Sequence, residues 1–354
     1  MISSWDEWFP FSASHSDSVK KFFNEIEISD PSFPDLIKFS YLIKNYHLEG
    51  PKALFVFEQL QQEKSWRFHS PADIYKSLSL FNLLEKTELT RFEQYFKTNH
   101  KYEFEYFHSA VDSKPINGDL LSELLNFEIQ IDDPMAALYA EGVKLYLLLS
   151  VNRKIPGLLI LKDSSNQWVR LDSGLLWSLP VLASSKFDLP FYSSNGQTPQ
   201  GFFAINGVMP EANRSEMFGR NRRLIIDFFP KSDPLMLESP LIPYGHRELS
   251  WWKQAEIARE IGRRFLRIHG TGLVCKESHS TYAPFVRTSG CLATREVPGQ
   301  FDDQRILLDQ LMRSMDLDVS FENESKINGL LTIVEISATD TLPTIDQISD
   351  MTDL

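Results

Sequence analysis

Cysteine is nearly absent from this chain, which carries Cys275 and Cys291 alone among its 354 residues. Two thiols supply neither a disulfide framework nor a cysteine cluster able to hold zinc. A bond between the two stays open as a redox lock, but it would silence either thiol as a nucleophile and requires strict geometry. Basic charge is also scarce: 36 Lys and Arg stand against 48 Asp and Glu, for a formal net charge of −12. That balance argues against generic nucleic-acid binding, which needs a basic face to displace counterions. No uninterrupted apolar run approaches the ~20 residues of a membrane helix, so no membrane span is expected. The opening Met1-Ile2-Ser3-Ser4-Trp5-Asp6-Glu7-Trp8 lacks a basic stretch followed by an apolar one, and no signal peptide is visible in it. Fixed-period repeats are missing as well.

What is present is ordinary globular composition, 42% hydrophobic and 24% charged, over a length that favours two domains. The pattern changes near Val151–Gly157. Before it, apolar residues recur at helical spacing: Leu36, Ile37, Phe39, Leu42, Ile43 and Tyr46, then Leu54, Phe55, Phe57 and Leu60 after Gly50-Pro51. Ser70-Pro71-Ala72-Asp73 opens another helix carrying Ile74, Leu78, Leu80, Leu83 and Leu84. A further helix is expected over residues 134–150, with Leu138, Val143, Leu145 and Leu147. After Gly157 the pattern becomes strand-like. Leu158–Leu161 and Gln167–Leu171 flank Asp163-Ser164-Ser165-Asn166 as a hairpin, and Phe202–Ile205, Leu224–Phe229 and Leu330–Ile336 read as further strands. Helices are expected over residues 248–261 and 302–315. Trp251 and Trp252 are assigned to packing. The tail over 339–354 is acidic, threonine-rich and expected to be loosely ordered.

Two short segments carry chemistry. Ile268-His269-Gly270-Thr271 and Thr288-Ser289-Gly290-Cys291-Leu292 together offer a thiol and an imidazole. A thiol attacks carbonyls as its thiolate, and an imidazole or cationic surroundings lower its pKa. Arg263, Arg264, Arg267, Arg287 and Arg295 crowd these segments, interrupted by acids such as Glu260 and Glu277. A Gly-Cys pair alone is ordinarily a small buried apolar residue beside a turn, and a His-Gly pair alone says as little. A third segment changes the reading. Gly196-Gln197-Thr198-Pro199-Gln200-Gly201 leads into the apolar Phe202-Phe203-Ala204-Ile205, and Met217-Phe218-Gly219 follows. Gly290 permits a tight turn that leaves the thiol approachable, and Arg264–Ile268 reads as a strand delivering His269 to its end.

In this order, the Thr-Pro-x-Gly run with its apolar strand, the Phe-Gly, the Ile-His-Gly-Thr and the Thr-Ser-Gly-Cys resemble the catalytic domain of the L,D-transpeptidases, the YkuD-like family. The resemblance covers roughly residues 150–338. It implies a mostly β catalytic domain over 151–338; with the helical spacing before it and the acidic tail after it, the expected chain is α+β, an N-terminal all-helical domain (1–150) preceding that domain and the tail (339–354). It further implies peptidoglycan stem peptides as substrates, work in the periplasm or cell envelope, and no metal or organic cofactor. Carried over by position, Cys291 is the nucleophile and His269 the base, with the amides around Ser289 and Gly290 facing an oxyanion. Arg287, Arg295, Gly270, Thr271 and Thr288 are the expected substrate contacts, the guanidinium groups meeting stem-peptide carboxylates through paired hydrogen bonds. Two positions depart from the family pattern: Ser289 stands where a histidine is common, and Ala293 where an arginine or asparagine is usual. An amine acceptor would make the reaction transpeptidation, and water would make it L,D-carboxypeptidase trimming. A noncatalytic binding module is the alternative of a different class. The helical part is a candidate platform for a protein acceptor or envelope partner, and Tyr282, Pro284 and Phe285 a candidate partial lid.

Overall fold

A computed structural model describes residues 21, 23–27, 36, 39, 42–43, 51–60, 70–82, 90–129, 141–186, 188–193, 195–229, 240–271, 282–336 and 344–352. The fold mixes helices with one large sheet. Two compact units emerge. One comprises Met1–Val111 with Tyr192–Asn195 and Ile257–Arg263, and the other comprises Asp112–Phe191, Gly196–Glu256 and Arg264–Leu354.

The first unit holds helices α1 (Pro51–Leu60), α2 (Pro71–Asn82), α3 (Thr90–Asn99) and α4 (Lys101–Val111). α1 and α2 start where the Pro signals placed them, because proline at the first helical position gives up an N–H that no turn would use. Phe23, Phe39, Phe96 and Phe107 are among the fully buried side chains here. The Lys52 ammonium donates to the carbonyls of Phe23, Asn24 and Ile26 at 2.9, 2.8 and 2.7 Å. It thereby satisfies acceptors that a helix end leaves open. Ile37, Tyr46, Leu83 and Leu84 lie outside the described residues.

The second unit is built on a sheet of eight strands in the order β3-β2-β1-β10-β4-β5-β6-β7. They are β1 (Val143–Leu149), β2 (Gly157–Lys162), β3 (Ser178–Val181), β4 (Gly201–Val208), β5 (Leu224–Phe228), β6 (Leu266–His269), β7 (Leu292–Ala293) and β10 (Asn328–Glu335), with β8 (Glu296–Val297) and β9 (Phe301–Asp302) as a separate hairpin. β1 pairs parallel with β10, and β6 parallel with β7. α8 (Asp303–Arg313) covers one face, burying Leu307, Leu308, Leu311 and Met312 against Leu145, Phe203, Ile205, Ile226 and Ile268. The other face buries Tyr146, Leu148, Phe202 and Ala204 with Trp251, Trp252 and helices α5 (Gly118–Asn126) and α9 (Ile345–Thr352). α6 is the single turn Ser215–Phe218 and α7 spans Lys253–Glu260.

Two expectations change. Residues 143–149, expected inside a helix, form the strand β1, flanked by β2 and β10. All seven of its side chains are buried. A strand buried on both faces loses the alternation that marks strands, and its unbroken apolar run imitates a helix. The acidic tail is not loose throughout, because α9 seats Ile348 in the core and its Met351 carbonyl accepts from the Asn126 amide at 3.0 Å. The hairpin around Asp163–Asn166, the strands at 202–205, 224–228 and 330–335, and the helices within 248–261 and 302–315 stand where the pattern put them.

Candidate active site

β6 and β7 lie side by side with Ile268 opposite Leu292 and His269 opposite Ala293. Side chains alternate along a strand, so Leu266, Ile268 and Leu292 enter the core under α8 while Arg267, His269, Cys291 and Ala293 share the opposite face. β5 extends that face. Ile225 is opposite Arg267, and continuing the alternation places Arg223 and Asp227 on the same side. The Cys-containing and His-containing segments are therefore joined by backbone pairing, and Cys291 sits one diagonal step from His269, a Cβ separation of about 7 Å.

His269 is buried, 5% exposed, with the edge of the Phe218 ring against it at a centroid distance of 5.0 Å. Its Nδ1 lies 2.6 Å from the Gly270 carbonyl. A carbonyl only accepts, so Nδ1 carries the proton and Nε2 is the basic nitrogen. Burial lowers the imidazole pKa to about 4, opposed by the Gly270 hydrogen bond and assisted by the nearby Arg223 charge. The ring is neutral at neutral pH.

Cys291 is half-buried, and its thiol points to the Phe265 carbonyl at 3.8 Å. Phe265 is 74% exposed and held at φ 61°, a left-handed conformation that is costly for an aromatic residue. Before the thiol, Gly290 takes φ 107°, which requires glycine. Its amide donates to Thr288 Oγ1 at 3.2 Å, Thr288 Oγ1 donates to the Cys291 carbonyl at 2.6 Å, and the buried Thr198 hydroxyl donates to the Gly290 carbonyl at 2.9 Å. The Thr-Pro segment thus fixes the turn before Cys291. Gln200 and Gly201 complete its role: Gln200 Oε1 accepts from the Glu335 amide at 2.7 Å, and a side chain at Gly201 would collide with Ala255 of α7. With its N–H engaged by Thr288, Gly290 holds the turn rather than facing an oxyanion. Ser289 is exposed beside it.

The expected substrate arginines are occupied by internal acids. Arg287 donates to both carboxylate oxygens of Asp188 at 3.0 Å. Arg295 bonds Asp303 at the start of α8 at 2.6 and 3.4 Å and lies 4.0 Å above the Phe301 ring. Their part is to pin the segments that flank Cys291. Gly270 and Thr271 face inward too, since Thr271 Oγ1 accepts from the Glu296 amide at 3.3 Å and a Cβ on Gly270 would run into the Glu296 carboxylate. Tyr282 and Phe285 pack down on Leu182 and Ala293, while Cys275, His279 and the rest of the loop over 272–281 lie outside the described residues.

Three residues escaped the sequence reading. Glu296, with a side chain 1% exposed, accepts at Oε1 from the Arg220 amide and from Asn221 Nδ2, and its Oε2 has no hydrogen-bond partner among the described residues. Burial raises its pKa. The signal for it was the pair of motif glycines, Gly219 and Gly270, both of which leave room for its carboxylate. Arg223 and Asp227 had no motif to mark them. Among the described residues no group of three or more His, Cys, Asp or Glu could hold a metal ion. Compared with protein-family models, curated proteins and solved structures, the chain matches none. The arrangement offers one thiol, one neutral imidazole and two guanidinium groups on a single sheet face.

Proposed function

We propose that this chain is a cysteine acyltransferase of the L,D-transpeptidase kind, acting on peptidoglycan stem peptides in the cell envelope, with the catalytic part of the chain preceded by a helical domain. The observation that supports the reading is the pairing of β6, which ends at His269, with β7, which begins directly after Cys291. Cys291 attacks the carbonyl that joins the L-centre of a diaminopimelate residue to the terminal D-alanine. His269 Nε2 takes the thiol proton and returns it to the leaving amine, its nitrogen being unprotonated at neutral pH and so open to that proton. The product is a thioester on Cys291, which an acceptor amine resolves into a cross-link. The Arg267 guanidinium lies close enough for its charge and that of Cys291 to act on each other.

The test is incubation of the protein with tetrapeptide muropeptides and excess amine acceptor, with products read by mass spectrometry. Linked product is expected. Tripeptide alone at every acceptor concentration would assign the site to carboxypeptidase trimming, and the absence of both products from folded protein would leave a binding module.

A further inference from the structure

We propose that Arg223 and Arg267 form a receptor for a carboxylate carried by the acyl donor, within about one residue of the carbonyl that Cys291 attacks. The inference rests on the acyl-transfer reading and adds the donor chemistry to it. Most guanidinium groups around this site already hold an acid: Arg222 pairs with Glu324, Arg287 with Asp188 and Arg295 with Asp303. Among the described residues Arg223 and Arg267 do not. There Arg223 donates from Nη2 to the neutral Asn213 Oδ1 at 2.7 Å, and Arg267 donates from Nη1 to the Leu266 carbonyl at 2.6 Å, and neither makes an ion pair.

Arg223 is 8% exposed, and its Nε is buried with no hydrogen-bond partner among the described residues. A buried charged donor left unsatisfied is costly, and its persistence one strand away from the pairing of β6 with β7 points to a partner that comes from outside. Its guanidinium stacks 4.5 Å over Phe218, the ring that also abuts His269. Arg267 is half-buried on β6, and the charges of Cys291, Asp227 and Arg223 all reach it. Asp227, an acid on this face, accepts from Asn206 Nδ2 at 2.9 Å. Two guanidinium groups near each other in a half-buried site repel and pay desolvation together, and Asp227, the acid whose charge acts most on Arg267, makes no ion pair with it among the described residues. A carboxylate, whose two oxygens accept from such forks, relieves both costs. The diagonal spacing on the sheet sets the carboxylate within ~8 Å of the thiol. Two carboxylates of a stem peptide share this chemistry, the C-terminal one of the leaving residue and the side-chain one of the donor residue.

The experiment compares two near-isosteric alkylating agents, iodoacetate and iodoacetamide, at Cys291, with the modified residue located by peptide mapping. In the unaltered protein the iodoacetate-to-iodoacetamide rate ratio should exceed that of glutathione by about tenfold or more, the worth of one charged hydrogen-bonded pair. It should fall with added salt and drop towards the glutathione value in Arg267→Gln. Arg223→Gln should behave alike, but its burial makes folding a risk, so the half-buried Arg267 and the salt series carry the test. A ratio equal to that of glutathione, indifferent to salt and to Arg267→Gln, overturns the receptor whether or not the protein turns over muropeptides. The predicted ratio in a protein that makes no product keeps the receptor and rejects acyl transfer. Donors amidated at one carboxylate or the other then identify the source: the one whose amidation lowers kcat/KM, with that loss removed in Arg267→Gln, is the bound group. Equal turnover of both amidated donors and the parent would also reject the receptor.

Discussion

His269 couples the stability of the fold to pH in a direction that can be worked out from its surroundings. Burial holds its pKa near 4, against an ordinary value of 6.5. The unfolded chain therefore binds more protons than the folded one between those values, and stability is full above about pH 6.5 and is lost as pH falls towards 4. The loss across that window is on the order of 3 kcal/mol. Urea melts should show a falling midpoint from pH 7 to pH 4.5, and His269→Gln should flatten that fall. An unchanged slope in the variant would mean that the imidazole titrates as it does in water. At Cys291 the expectation is different, because the thiol is half-buried and its contact to the Phe265 carbonyl is long. Cys291→Ala should melt within about 1 kcal/mol of the parent. Turnover of tetrapeptide should fall at least ~10³-fold, since the proposed nucleophile is removed. Measurable turnover within tenfold of the parent would remove Cys291 from the chemistry.

The elements around the site are locked through Glu296, on β8, against the turns that follow α6 and β6. Gly219 sits at φ 85°, and both it and Gly270 approach the carboxylate so closely that neither has space for a methyl group. Arg220 and Asn221 clamp that carboxylate, so it cannot swing aside. Gly270→Ala should cost about 3 kcal/mol by overpacking. The cost should shrink by about 1 kcal/mol or more in the background of Glu296→Ala, as a double-mutant cycle of denaturation midpoints would read. The carboxyl has the opposite pH signature to His269. Its pKa is raised by burial, so its contribution is whole below the ordinary glutamate range and is lost as pH rises through the folded value. Glu296→Gln should gain stability relative to the parent as pH climbs from 4 to 7.

How far these elements could be read from residues depended on what each one faces. β6 was legible because Arg267 and Ile268 alternate at a half-buried position, whereas the Gly-Cys pair said little until the Thr-Pro and His-Gly segments stood beside it. The ion pairs of Arg287 and Arg295 were not legible. Asp188 is 99 positions from Arg287, and nothing local distinguishes an arginine bound for an internal acid from one bound for a substrate. Arg223 was hidden for the same reason, since its role follows from strand register rather than from its neighbours in the chain.

At the scale of the molecule, the strand that was misread has the largest consequence. β1 is hydrogen-bonded on both sides, antiparallel to β2 and parallel to β10 over its whole length from Val143 to Leu149. Gly142 and Gly329 let β1 and β10 approach closely at the start of that pairing, since a Cβ on either would strike the other strand. α5 and α9, near the two ends of this unit, pack on the same face and are joined at Asn126 and Met351. A fragment beginning at residue 151, where the apolar pattern changes, would lack both β1 and α5. It would expose the edges of β2 and β10 and a wide apolar face, and unpaired edges of that kind template aggregation. A fragment beginning at residue 112 retains both elements. The shorter fragment should be recovered mainly as aggregate with no cooperative melt, and the longer one should unfold in a single transition with Cys291 still reactive towards iodoacetamide at the rate of the full chain. Cooperative folding of 151–354 would show that the β2–β3 and β10–β7 parts of the sheet hold together without the strand between them.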